Sequence, residues 1–210
     1  MTEQPIALED VGAAFDERAV ADVAEYFATF TGRRFDTLGG GGSRPGARDR
    51  FDADDIVAVS LLSVDIPGEA VLTLLDDDGA RFASLLGEIP TDVDLWDADD
   101  DVIGPGSPAD QLWRLVREVP GCGWVTAGKL LARKRPRLLP VYDGVVREEL
   151  HRRDGDGYWR PLRDLLRDHD SLQARLLGIR TRTEIDDDIS LIRVLDVALW
   201  MSGKRRRTVT

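Results

Sequence analysis

The residues whose types and spacing could do chemistry lie between Leu112 and Leu150. Pro120-Gly121-Cys122-Gly123 forms a tight turn, and a lone carboxylate, Asp143, follows Gly121 by 22 residues in Pro140-Val141-Tyr142-Asp143. If the turn joins two helices, its backbone N–H groups and those of the next helical turn have no intrahelical acceptor. They also sit at the positive end of a helix dipole, so the chemistry they offer is a cradle for phosphate. A turn that only joins two core helices is the simpler alternative. Asp143, followed by Gly144-Val145-Val146, reads by itself as a helix N-cap.

The flanking elements must be helices for this to work. Leu112, Leu115, Val116 and Val119 recur at the spacing of one helical face. Ser107-Pro108-x-Asp110 starts that helix with a serine cap, and Pro120-Gly121 ends it. Ala127, Leu130 and Leu131 supply the apolar side of the second helix.

Pro120-Gly121-Cys122-Gly123-x-x-Thr126-Ala127-x-x-Leu130-Leu131 resembles the helix-hairpin-helix element of the DNA glycosylase superfamily. Pro140-Val141-Tyr142-Asp143 with Val146 resembles that superfamily's segment bearing the catalytic aspartate. The resemblance covers about 40 of the 210 residues. It implies an all-α, DNA-glycosylase-like helical bundle of about eight to ten helices, with the hairpin (residues 108–134) at its centre. It further implies duplex DNA as partner, held through Gly121, Cys122, Gly123, Trp124, Thr126, Lys129 and Arg133. Asp143 would then be the carboxylate that stabilises an oxocarbenium-like sugar and orients or deprotonates water in a monofunctional N-glycosylase.

The departures from that pattern are specific. Val125 stands where bifunctional members carry a Schiff-base lysine, which argues against lyase chemistry; Lys129 lies one turn on, on the same side of the helix. Gly144 and Val145 stand where threonine and histidine are common. Leu62-Ser63 is followed by Val64-Asp65, without the glutamine that helps fill the gap left by an extruded base. These departures favour a second reading, a non-catalytic helical interaction or regulatory module with a protein partner. Trp124 reads as a half-buried packing residue that can alternatively press on a sugar or base.

With Cys122 as the single cysteine and two histidines, neither a disulfide, an iron–sulfur cluster nor a zinc site is expected, and no cofactor is implied. No apolar run reaches membrane-span length, and a cytoplasmic protein is expected. Oligomeric state is left open. The net charge of −11 disfavours nucleic acid as a whole, yet its distribution is uneven. Residues 1–113 carry 25 acidic and 7 basic groups, whereas residues 114–182 carry 16 basic and 9 acidic. The hairpin lies in the basic third.

Elsewhere the chain reads as a single helical domain, residues 1–210. Residues 1–50 are expected to be loosely structured: a lead-in, a helix over 16–30, and a surface linker around the four glycines 39–42. No Gly-Lys-Ser/Thr follows those glycines, so a Walker-type loop is not expected. Asp52 caps the start of a glycosylase-like core over residues 52–202, and the β-branched run from Ile56 is expected to be helical. Residues 92–101, with six aspartates in ten, read as a solvated acidic loop or a segment that competes with DNA. Arg133-Lys134-Arg135-Pro136-Arg137 either complements its helix end or contacts a nucleic-acid backbone. The last apolar helix, from Ile189, is expected to give way to a solvated basic tail over 203–210.

Overall fold

The computed structural model describes residues 4–153 and 157–209, and among these every regular element is helical. A short turn at Gly12–Phe15 leads into α1 (Ala19–Thr29). α2 (Ala53–Ser60) starts on a capping box: the Asp52 carboxylate accepts from the Asp55 N–H, and the Asp55 carboxylate accepts from the Asp52 N–H. That reciprocal cap overrides the β-branched run that follows. α3 (Gly68–Leu72) passes through a π turn at Thr73–Asp77 toward α4 (Gly79–Glu88), and α5 (Asp100–Ile103) is a single turn.

α6 (Pro108–Glu118) and α7 (Trp124–Lys134) form the hairpin. Ser107 Oγ accepts from the Asp110 N–H at 3.2 Å. α8 (Gly144–Glu149), α9 (Trp159–Asp168), α10 (Asp170–Thr183) and α11 (Leu191–Val209) complete the chain. Eleven α-helices among the described residues exceed the expected eight to ten, the surplus lying in short pieces such as α3 and α5. No helix is long and apolar enough to cross a membrane among the described residues.

One hydrophobic core gathers side chains from Ile6 to Met201. The expected loose N-terminal segment is corrected: Val11, Ala14, Val23 and Phe35 are at most 1% exposed. The glycine stretch is no free linker either. Gly39, Gly40 and Gly41 adopt positive φ, and a Cβ on Gly42 would lie 2.3 Å from the Arg133 carbonyl oxygen. Glycine lets this loop close onto the end of α7.

The three cations ending α7 hold that loop in place. Arg133 donates to the carbonyls of Phe35 and Leu38, each at 2.5 Å, and to Asp55 at 3.3 Å. Lys134 donates to the Ala47 carbonyl and pairs with Asp55, while Arg135 donates to the carbonyls of Arg48 and Ile89. All three side chains are fully buried.

The acidic segment 92–101 is also tied down. Asp94 pairs with Arg137, and Asp100 pairs with Arg160 and Arg163. The basic tail forms the last turns of α11, and Lys204, Arg206 and Arg207 are solvent-exposed there as expected. There Arg205 pairs with Asp22, Arg206 with Glu149 and Arg207 with Glu148, while Lys204 lies over the Phe30 ring.

Candidate functional site

The hairpin turn needs Gly121, because its φ is +88° and a Cβ would meet the Pro67 ring at 2.7 Å. Gly123 is different: its φ is −82°, its Cβ direction is open, and it is exposed. Among the described residues no side chain caps the amino terminus of α7, so the positive end of that helix opens at Gly123. The Cys122 N–H is occupied by the Val119 carbonyl at 2.9 Å, and the Cys122 side chain is buried.

Asp143 uses its two carboxylate oxygens differently. Oδ1 caps α8, accepting from the Val145 and Val146 N–H groups at 2.9 and 3.1 Å. Oδ2 lies 3.6 Å from Lys129 Nζ. Both residues face a cavity of about 420 Å³, and Val125 lines it from one turn earlier on α7. Lys129 is 4% exposed and donates to the Leu62 carbonyl at 2.8 Å. Burial lowers its ammonium below the usual lysine range, and the Asp143 carboxylate opposes that shift.

The wall opposite is aromatic. Tyr26 stacks on Phe30 with ring centres 5.5 Å apart, and Trp200 meets Phe30 edge-on at 5.4 Å. The floor is polar. Arg193 donates to Tyr26 Oη at 2.8 Å and to Asp36 at 3.0 Å. Asp196 Oδ2 accepts from the Val141 N–H at 2.7 Å, while Oδ1 is buried without a partner among the described residues. Burial holds the Asp196 carboxyl well above the ordinary carboxylate range, against the opposing pull of Arg193. At the rim, Ser63 has φ +60°, a left-handed backbone uncommon for serine. A close approach keeps α8 in register with α11: a Cβ on Gly203 would lie 2.7 Å from Val145 Cγ1.

The structure brings Lys129 and Asp143 together and leaves Gly121, Gly123 and half-buried Trp124 at the hairpin mouth. Two sequence candidates are corrected. Arg133 is 1% exposed, with its guanidinium held inside the protein by Phe35, Leu38 and Asp55, so it does not reach a phosphate at the surface. Thr126 is turned into the body at 7% exposed. Sequence reasoning passed over Arg193 and Asp196. Their signal was present, as two opposite charges three residues apart inside the apolar run Leu191–Trp200. No group of three or more histidine, cysteine, aspartate or glutamate side chains is placed to hold a metal among the described residues.

These features define an all-helical protein whose hairpin stands beside a cavity that is aromatic on one side and ionisable on the other. The chain belongs to DUF6308, a family of unknown function, whose model matches residues 19–203. No curated protein and no solved structure matches it.

Proposed function

We propose that this is a nucleic-acid-binding helix-hairpin-helix protein of the cytoplasm, and that its cavity hydrolyses an N-glycosidic bond in DNA with Asp143 as the catalytic carboxylate. The observation that carries this reading is the sharing of one cavity by Asp143, Lys129 and Val125, directly behind the uncapped start of α7. The amides at Gly123 would hold a phosphate, and a base turned out of the stack would enter between the aromatic wall and Asp196. Burial favours the protonated form of Asp196, and a carboxyl that holds its proton can donate as well as accept, which suits the edge of a base. In the reaction the sugar–base bond breaks with its electron pair leaving on the base. Water forms the new bond to the sugar carbon, and its proton passes to Asp143. Lys129, anchored on Leu62, positions the carboxylate.

Strand scission after alkali treatment of damaged duplexes is the direct test. Asp143→Asn should lower it by about 10²-fold or more. Binding to a duplex with an abasic-site analogue should weaken with Gly123→Pro, which removes one donor where φ already suits proline.

A second reading has its own support: capping alone accounts for one oxygen of Asp143, and the lysine accounts for the other. A non-catalytic module predicts no scission for any lesion, and unchanged partner binding in Asp143→Asn.

A further inference from the structure

Among the described residues two carboxyl groups, Asp143 and Asp196, line the first cavity, and the reaction above gives a chemical step to Asp143 alone. Their surroundings differ. Asp143 is met by the amides of Val145 and Val146 and by the Lys129 ammonium, partners that suit a carboxylate. Asp196 is 2% exposed; the Val141 amide donates to its Oδ2, and Oδ1 has no partner among the described residues. A buried polar atom left unpaired costs free energy, and a role in catalysis is one reason for such an atom to persist.

The fold aims Asp196 at the reacting centre. Arg193, Asp196, Val197 and Trp200 recur at helical spacing, so one face of α11 is turned to the cavity. A second cleft of about 630 Å³ lies on the other side of α7, since Val125 lines the first cavity and Trp124 the second. That cleft does not reach Asp196, so the chamber Asp196 borders is the one that holds Asp143.

We propose that Asp196 is the acid of the reaction, that its Oδ1 proton passes to the base as the glycosidic bond breaks, and that the substrates are therefore uncharged bases. This rests on the glycosidic reading given above. Without a proton an uncharged base would have to leave as an anion. With it, the electron pair of the sugar–base bond passes to the base while a ring nitrogen or carbonyl oxygen takes the Oδ1 proton, and the base departs neutral. Water forms the new bond to the sugar carbon and gives its proton to Asp143. Asp196 ends ionised and Asp143 protonated, and exchange with solvent resets both. Two carboxyl groups in unlike surroundings divide acid and base duties in this way. The groups facing Asp196 are Arg193 on its own helix, Asp36 after α1, Asp143 at the head of α8 and Tyr158 ahead of α9. Burial, Asp36 and Asp143 favour the acid form, and Arg193 opposes it.

Single-turnover release of free base from duplexes carrying hypoxanthine or 7-methylguanine tests the proposal. Hypoxanthine is uncharged, whereas 7-methylguanine is already cationic and leaves neutral without an acid. Asp196→Asn should slow release of hypoxanthine about 10²-fold or more and that of 7-methylguanine less than about threefold. The second rate also reports that the variant is folded. Asp196→Glu, which keeps a proton to give, should recover part of the lost rate. In the wild type, hypoxanthine release should slow as pH rises through the raised value of Asp196, and 7-methylguanine release should not. Equal loss of both bases in Asp196→Asn, or an unchanged hypoxanthine rate, would overturn the acid role. The glycosidic reading would survive either result if Asp143→Asn still abolished release. Release of 7-methylguanine alone by the wild type would overturn the assignment of uncharged bases. Release of neither base would overturn the acid role and the glycosidic reading together.

Discussion

At the scale of single residues, Asp196 makes a prediction that needs no substrate. Its carboxyl is buried with one oxygen unpartnered among the described residues, and it holds its proton above the ordinary carboxylate range because burial disfavours the charge. The unfolded chain releases that proton near the usual value of about 3.9. Between that value and the raised folded one, the folded state binds more protons, so stability falls as pH rises through the window. Arg193 favours the ionised form, while Asp36 and Asp143 oppose it. Asp196→Asn keeps an acceptor for the Val141 N–H and has nothing to titrate. Its urea midpoint should therefore gain on that of the wild type as pH is raised from 4 to 7. A difference that stays constant across that range would show that Asp196 ionises normally. Asp143 shows why residue type alone was an incomplete guide: capping and facing a cavity use different oxygens of the same group.

At the scale of elements, α7 does two jobs with its two ends. Its start is uncapped and open, and its end is locked by buried cations to the loop that carries the glycines. Glycine-to-alanine substitution should therefore be costly in the loop packed on the locked end and neutral at the open end. Gly42→Ala forces a Cβ against the Arg133 carbonyl and should cost about 1–3 kcal/mol of stability, read as a lower urea midpoint. Gly123→Ala meets open space at an ordinary φ and should leave the midpoint unchanged within about 0.5 kcal/mol. Equal effects at both positions would remove the argument that the glycine loop is packed against α7. Arg133 was misjudged from sequence because a run of cations after a helix reads as solvent-facing. Nothing local announces that carbonyls of Phe35 and Leu38, almost a hundred residues earlier, will converge on it. Similarly, the basic tail became helix because Asp22, Glu148 and Glu149 offered partners to its arginines.

At the scale of the whole molecule, charge sets how any nucleic acid would be held. Several of the basic residues between 114 and 182 are spent internally: Arg133, Lys134, Arg135 and Arg163 are buried, and Arg137 and Arg160 pair with the acidic segment. A duplex would meet a mostly negative body with a narrow clamp of neutral amides, so few of its phosphates would be neutralised by a lysine or arginine. The slope of log Kobs against log salt should then be shallow, between about 0 and −2, well short of the value near −10 of an extensively basic interface. A steep slope would point to arginine contacts outside the hairpin mouth.

The sequence by itself determined the helices. Caps such as Asp52, Ser107 and Asp143 and the 3.6-residue apolar rhythm act within a few residues of chain, so α2, α6, α7 and α8 were legible without coordinates. The pairing of the hairpin turn with Asp143 was also visible as spacing. Only the tertiary structure decided which charges are free and which are buried, that Lys129 and Asp143 share a cavity with Asp196, and that two clefts flank α7. Those outcomes depend on where distant segments meet, and a charge is spent or available only once its partners from elsewhere in the chain have been placed around it.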